Sequence, residues 1–205
     1  MCCRYYVEPQ EYTEALAEKV KESRFYRDNL QRIAKGITGS GEICPGSLVA
    51  ALAPNKAGQR RAYPMIWGYR IIGLSHPLVN ARCETASEKE TFRESFSSHR
   101  CAIPFTHYYE WEHFVSADGK TKTGDRYLIM PKGQELSYFC GLYRIENGYQ
   151  YFVILTREAT EDIAFIHTRM PVIISRDTVD CWISPSFNPH MVLKESLTEM
   201  IFSRE

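Results

Sequence analysis

Short runs of aromatic and β-branched residues fill the middle of the chain, and this pattern restricts the fold most strongly. The runs lie at residues 101–103, 108–114, 127–130, 138–143 and 150–155. Asp118-Gly119 and Asn147-Gly148 lie between neighbouring runs, and such dipeptides favour the tight turns of β-hairpins. The middle of the chain is therefore predicted to form antiparallel strands.

Helical patterns lie at the two ends of the chain and between the strands. We predict helices at residues 13–35, 87–97, 161–166, 177–182 and 193–202, and further strands at residues 49–53, 62–67 and 172–174. Ser87-x-x-Glu90 resembles a capping box, which marks a helix start. Strands that cluster rather than alternate with helices indicate an α+β fold. We expect one domain over residues 1–205, with a mainly antiparallel, barrel-like β core flanked by helices.

Composition and missing motifs exclude several classes of protein. No apolar run approaches the roughly 20 residues of a membrane helix, and no signal peptide precedes the chain, so we expect a cytoplasmic protein, nucleoid-associated in a bacterium or nuclear in a eukaryote. No glycine-rich phosphate-binding motif occurs, so no nucleotide cofactor is expected. The seven cysteines form no C-x-x-C pair, so no metal site is expected. We expect a monomer without cofactors.

Charge is distributed unevenly although the net charge is zero. Residues 43–83 contain no Asp or Glu, and they interleave basic with aromatic side chains: Lys56, Arg60, Arg61, Tyr63, Trp67, Tyr69, Arg70 and Arg82. Basic residues beside aromatic rings suit a groove for single-stranded nucleic acid. A solvated face of a strand-rich segment would give the same pattern, and charge alone leaves both interpretations open.

Cys2 carries distinctive chemistry if Met1 is removed, because its thiol would then stand beside a free α-amine. Reference pKa values of about 7.7–8.0 for the amine and about 8.5 for the thiol leave both partly deprotonated near neutral pH. Such an aminothiol condenses with an aldehyde to an imine, and the thiolate then closes a thiazolidine ring. An internal cysteine cannot do this because its nitrogen is an amide.

Three further segments supply candidate site residues. Glu110 stands in an aromatic strand, PFTHYYEW, where a carboxyl can have a raised pKa and transfer protons. His167 and Arg169 lie at a junction, FIHTRMPVII, and junction loops often carry site residues. Asn80 and Arg82, in PLVNARCET, could orient an amine and hold a phosphate.

Taken in order, these segments resemble the SOS-response-associated peptidase (SRAP) family, whose members process abasic sites in single-stranded DNA. The matching motifs are MC-x-R at residues 1–4, NAR-x-ET at 80–85, RC-x-x-P followed by YEW within 100–111, FCGLY at 139–143 and IH-x-RMPV at 166–172. Five ordered motifs over nearly the whole chain leave little room for a chance match. The chain departs from the family at Cys3 and His107, where glycine is usual.

The resemblance implies a specific activity. Cys2 would capture the ring-opened aldehyde of an abasic site as a thiazolidine crosslink, after removal of Met1 by self-processing or an aminopeptidase. Asn80 would position the amine, Glu110 would transfer protons at the amine, and His167 would open the sugar ring. The imine could also support strand cleavage by a lyase reaction. The implied DNA contacts are phosphates at Arg4, Arg82 and Arg169, and bases at Trp67.

Two other functions remain open from the sequence. Cys2, His167 and Asn80 could instead form a papain-like thiol hydrolase. The basic and aromatic stretch at residues 43–83 could belong to a single-stranded DNA-binding protein without catalysis.

Overall fold

The computed structural model describes residues 3–29, 36–116 and 118–205. Its strands are β1 (Tyr5–Val7), β2 (Gly41–Ile43), β3 (Leu48–Pro54), β4 (Arg60–Trp67), β5 (Asn80–Arg82), β6 (Arg100–Phe105), β7 (His107–Val115), β8 (Thr121–Pro131), β9 (Ser137–Glu146), β10 (Tyr149–Glu158), β11 (Arg169–Pro171), β12 (Ile173–Ile174) and β13 (Met200–Arg204). Its helices are α1 (Glu11–Lys21), α2 (Arg24–Asn29), α3 (Glu90–Ser98), α4 (Val179–Ile183) and α5 (Pro189–Lys194).

A closed barrel forms the centre of the fold. Strands β4, β3, β6 and β9 pair in that order, and β10 pairs with both β4 and β9, which closes five strands into a ring. Only the β4–β10 pairing in this ring is parallel. The predicted α+β fold with a barrel-like, mainly antiparallel core is confirmed.

A second sheet packs beside the barrel, in the strand order β13-β8-β7-β1-β2. The chain passes from the barrel into this sheet at Thr106, between β6 and β7. The Thr106 hydroxyl donates to the Tyr6 carbonyl oxygen at 3.0 Å and accepts from the Glu8 N–H at 3.2 Å. These bonds fix β1 against the crossing point.

Alternate residues of the barrel strands face two separate hydrophobic clusters. The helix-side cluster packs barrel residues such as Leu52 and Val153 against helices through Val20 and Trp182. The sheet-side cluster packs barrel residues against the second sheet and the 163–170 segment; its members include Phe152, Ile154, Tyr5, Tyr108, Ile129, Ile163, Ile166 and Met170. The polar candidate residues lie next to this sheet-side cluster.

Arg100, from the RC-x-x-P motif, is a buried cation that connects the barrel to two helix ends. Its side chain is 1% exposed and donates to the carbonyl oxygens of Phe96, Ser97, Trp182, Ser184 and Phe187. Carbonyl groups at helix C-termini lack partners within the helix, and a cation satisfies them well. The motif's arginine therefore has a structural role.

The hairpins are confirmed, whereas several predicted helices are wrong. Both Asn147 and Gly148 have positive φ, as the tight turn between β9 and β10 requires. The predicted helix at residues 193–202 is instead the end of α5 followed by β13, because the apolar residues from Met200 onward pair with β8. Residues 161–166 form successive turns rather than a helix.

The remaining helices differ in their bounds. The predicted helix at 13–35 is broken, since Ser23 accepts a bond from the Tyr26 N–H and so caps a second helix; residues 30–35 of that prediction lie outside the described residues. The predicted capping box at Ser87 does not form, and α3 begins at Glu90. Within the part of the chain that the structure describes, no helix is long and apolar enough to cross a membrane.

Candidate active site

Glu110 is a buried carboxyl at the edge of the sheet-side cluster. It shares a face of β7 with Tyr108, since alternate residues of a strand point the same way, and only 4% of it is exposed. Burial raises the pKa of Glu110, and the Trp111 N–H, which donates to its Oε1 at 3.3 Å, partly offsets this. The group is therefore suited to proton transfer nearer neutral pH than an ordinary glutamate.

The start of the chain runs beside Glu110. Tyr5 pairs with Tyr108 in antiparallel register, and the Tyr109 N–H donates to the Arg4 carbonyl oxygen at 2.9 Å. Continued by two residues, this register sets Cys3 opposite Glu110, and partial burial together with the Glu110 charge raises the pKa of the Cys3 thiol. Cys2 lies outside the described residues, but it is the covalent neighbour of Cys3.

His167 is a neutral imidazole whose tautomer is set by the backbone. The Arg169 N–H donates to its Nδ1 at 2.9 Å, so the ring proton is on Nε2. Burial lowers the pKa of His167 to about 4. At neutral pH the ring therefore presents an uncharged Nε2–H donor.

His113 is a site residue that the sequence analysis missed. Its ring packs edge-on against His167, with the centroids 5.3 Å apart. The His113 N–H donates to the Ile166 carbonyl oxygen at 3.1 Å, which joins β7 to the turn before His167. The only signal in the sequence was a histidine three residues after Glu110.

Asn80 reaches the same cluster from another strand. It begins β5 and pairs with Ile154 of β10, so the two side chains lie on one face of the sheet. Ile154 belongs to the sheet-side cluster, and Asn80 is 7% exposed. The candidate catalytic residues Asn80, Glu110 and His167 thus all border one cluster.

Arg169 joins two of the sequence motifs. Its guanidinium donates to both carboxylate oxygens of Glu84 at 2.8 Å, and to the Thr156 carbonyl oxygen at 2.8 Å. The hydrogen bond from Arg169 is the main cause of a lowered pKa at Glu84. Since this bidentate pair compensates the Arg169 charge, the residue's clearest role is to hold the His167 loop against β5.

Comparison with known proteins identifies the family to which the chain belongs. The profile of the SOS response associated peptidase (SRAP) family matches residues 1–203. The chain belongs to the SRAP family. Two similar proteins of Bacillus subtilis (strain 168) are named abasic site processing proteins: YoaM is 33% identical over 71% of this chain and 66% of its own length, and YobE is 37% identical over 55% of this chain and 51% of its own length. The chain thus spans between half and about two thirds of these relatives.

Solved structures share the SRAP fold seen here. A protein from Bacteroides thetaiotaomicron superposes with a TM-score of 0.71 at 19% identity, covering 99% of this chain and 91% of that one. A phage-related protein from Bordetella bronchiseptica gives a TM-score of 0.72 at 19% identity, covering 100% and 94%.

Trp67 does not have the position that base stacking would require. It is 0% exposed, stacks on Phe152 inside the sheet-side cluster, and donates its indole N–H to the Val79 carbonyl oxygen at 3.0 Å. Contact of Trp67 with bases stays a prediction, and it would require the ring to become accessible when DNA binds.

The other predicted DNA contacts are nearer the surface. Arg4 pairs with Glu42 at 2.8 Å and lies over the Trp111 ring. Arg82 is exposed and has no ion-pair partner among the residues that the structure describes. Phosphate contacts at Arg4, Arg82 and Arg169 remain predictions.

His107, where the SRAP family usually has glycine, faces away from Glu110. His107 and Tyr109 point to the other face of β7, and there His107 stacks on Tyr6 at 4.9 Å and bonds through Nε2 to the Tyr109 hydroxyl at 3.1 Å. The extra imidazole is thus a packing residue outside the site. No group of side chains among the described residues is arranged to hold a metal ion.

Proposed function

We propose that this SRAP protein captures abasic sites in single-stranded DNA covalently, through the α-amine and thiol of Cys2 after Met1 has been removed. The protein acts as a monomer without a cofactor. The observation that supports the proposal is the register of β1, which continued to Cys3 brings that residue opposite the buried Glu110; Cys2 is the residue before Cys3 in the sequence. The names of the Bacillus relatives support the same substrate.

Capture requires the amine to lose a proton and water to leave. Glu110, with its pKa raised by burial, accepts a proton from the Cys2 ammonium and returns it to the departing hydroxyl as the imine forms. Asn80 orients the amine through its side-chain amide. The Cys2 thiolate then adds to the carbon of the protonated imine, the electron pair of the C=N bond returns to nitrogen, and the neutral thiazolidine ring closes.

His167 acts on the sugar rather than on the amine. An abasic sugar is mostly closed, and opening it to the aldehyde requires a proton at the ring oxygen. The Nε2–H of His167 is a donor held in one orientation by the Arg169 backbone, and it stays uncharged at neutral pH because the pKa of His167 is about 4. Removal of Met1 by self-processing and strand cleavage through the imine would use the same groups.

A denaturing-gel assay tests the proposal. Protein whose mass shows that Met1 is absent is mixed with single-stranded DNA that contains one abasic site, and with the same strand undamaged. We expect a heat-stable, shifted band with the abasic strand only. Cys2→Ala abolishes the band, whereas Cys3→Ala keeps it, because the Cys3 nitrogen is an amide and cannot form the thiazolidine.

The two cysteine variants also separate the alternatives. A band that survives Cys2→Ala, or no band and no cleaved strand with the wild type, contradicts covalent capture through Cys2. Cleavage of peptides without reaction toward DNA would favour the thiol hydrolase. Equal, purely noncovalent binding of abasic and undamaged strands would favour the DNA-binding protein without catalysis.

A further inference from the structure

Two neighbouring imidazoles at the site have opposite tautomers, and the backbone fixes both. His113 bonds through Nδ1 to the Glu112 carbonyl oxygen at 3.0 Å. A carbonyl oxygen only accepts, so Nδ1 carries the proton and Nε2 of the neutral ring holds a lone pair. His167 is the reverse, since its Nδ1 accepts from an N–H and its Nε2 carries the proton.

The two neighbouring rings therefore offer a proton acceptor at Nε2 of His113 and a proton donor at Nε2 of His167. The rings are 5.3 Å apart between centroids and inclined by 62°. His113 is exposed and His167 is half-buried, so both rings can be reached from solvent. Opening a closed abasic sugar needs both functions, because one oxygen loses a proton while another gains one.

We infer that His113 is a second catalytic residue, the base that works with His167 to open the abasic sugar. This inference rests on the proposed function. Nε2 of His113 takes the proton of the hydroxyl on C1′, and that oxygen's electron pair forms the C=O bond of the aldehyde. The bond between C1′ and the ring oxygen breaks, its electron pair stays on the ring oxygen, and that oxygen takes the Nε2 proton of His167.

The step balances within the pair. After the step His113 is an imidazolium and His167 an imidazolate, so return of one proton from Nε2 of His113 to Nε2 of His167, relayed by water, restores both neutral rings. No other acid, base or cofactor is consumed. The Nδ1 bonds to Glu112 and Arg169 are unchanged throughout, so both rings return to their starting tautomers.

The register of the second sheet explains how His113 comes to stand there. The pairing of β7 with β8 shifts between Trp111, opposite Arg126, and His113, opposite Thr123. The extra residue is on β8, where Gly124 leaves room for the Glu112 side chain; a Cβ on Gly124 would lie 2.6 Å from Glu112 Oε2. Such bulges redirect the side chains beside them.

The test compares a closed with an open substrate. Crosslinking rates are measured with a strand that carries an abasic site, and with a strand that carries an aldehyde on a chain without a hydroxyl able to close onto it. We expect His113→Ala to slow capture of the abasic site by about 100-fold, the lower range for loss of a general base, and to leave capture of the open aldehyde unchanged. Added imidazole should restore part of the rate with the abasic strand only.

Two further variants control for structure. His113→Phe keeps a flat ring against His167 without a proton-accepting nitrogen, and it should behave as His113→Ala does. His190→Ala changes an exposed histidine that packs on Phe96 of α3, and it should leave both rates unchanged. Thermal unfolding of each variant checks that the fold is retained.

The possible outcomes distinguish failure of the role of His113 from failure of the proposed function. Equal rates for His113→Ala and wild type with the abasic strand, or equal slowing with both substrates, would overturn the role of His113 while leaving the proposed function intact. If the wild type captures neither substrate, the proposed function itself fails. Selective slowing with the closed sugar, reversed by imidazole, supports the inference.

Discussion

Two glutamates on one strand show how position alone changes a residue's chemistry. Glu110 and Glu112 are two residues apart on β7, yet Glu110 is 4% exposed while Glu112 reaches more solvent beside the Gly124 bulge. Burial disfavours the charged form of a carboxyl, and it raises the pKa of Glu110. Glu110, the residue best suited to proton transfer, thus also lowers the stability of the fold when it is ionised.

Because ionised Glu110 destabilises the fold, we predict that Glu110→Gln changes the unfolding temperature in a pH-dependent way. Because the folded-state pKa is raised above the unfolded value, ionisation opposes folding, and its penalty grows as pH rises through the folded-state pKa. We expect Glu110→Gln to unfold at a higher temperature than wild type at neutral pH, and to lose most of its crosslinking rate. The gain should shrink as pH falls toward about 4.3, the reference pKa of glutamate.

Thermal unfolding followed over this pH range gives the measurement, and Glu112→Gln is the matched control. A Glu110→Gln protein that is less stable than wild type at neutral pH would show that the carboxylate makes net favourable contacts there.

For single residues, the sequence indicates which side chains are candidates for the site better than it indicates what surrounds each of them. Glu110, His167 and Asn80 were identified through motifs, whereas His113 was missed because its role depends on two backbone bonds, from its own N–H and from its Nδ1. Contact of Trp67 with bases was implied by the resemblance to the SRAP family, and its environment was not predicted. Its burial is set by strands that pair around it, which a local pattern does not show.

At the scale of elements, a single glycine determines whether the barrel strands can pack. Gly141, in the FCGLY motif of β9, lies opposite Cys101 in the pairing with β6. A Cβ there would lie 2.8 Å from Cys101 Sγ, and it would also collide with Ile103 Cδ1. The motif's glycine is therefore explained by close packing rather than by chemistry.

Gly141→Ala should accordingly destabilise the fold by about 1–3 kcal/mol, the usual effect of overpacking. Denaturant unfolding measures the change. Ile103→Val removes the Cδ1 methyl, so the double variant should be more stable than the sum of the two single effects. Additive effects would mean that the clash is not with Ile103.

Long elements were predictable and short ones were not. The hairpin strands β7 to β10 carry turn signals and many consecutive aromatic or branched residues, and the structure has them at or near the expected positions. Strands β1, β2 and β5 have three residues each, too few to show a period. Residues 200–202 were mistaken for helix because only their pairing with β8 makes them part of a strand.

At the scale of the whole molecule, Arg100 ties the barrel to the helices without any carboxylate. Its partners are carbonyl oxygens from the end of α3 and from the end of α4 and beyond, and burial lowers its pKa. Several elements therefore depend on one side chain.

Arg100→Lys should destabilise the protein by about 3 kcal/mol or more, since a lysine cannot reach all these acceptors and buried groups would be left without partners. Arg93→Lys, on the exposed face of α3, is the control and should have little effect. Denaturant unfolding of both variants at low and high salt provides the test. Equal stability of Arg100→Lys and wild type would show that the carbonyl contacts are replaceable.

The site is a property of the whole molecule, because its parts come from four distant segments. Order along the chain revealed the family, but the Glu84–Arg169 pair that joins two of the segments and the meeting of His113 with His167 depend on how the two sheets pack together. Local patterns do not show which strands become neighbours when a sheet closes.

The course of β1 has a practical consequence for making the protein. Under the proposed function, any affinity tag fused ahead of Cys2 would convert the amine that captures the aldehyde into an amide, at a point one residue from Cys3 and the strand register that leads to Glu110. Recombinant protein for activity assays should therefore be tagged after β13, which lies at an edge of the second sheet. An N-terminally tagged preparation would be inert because its amine is blocked, however well it folds.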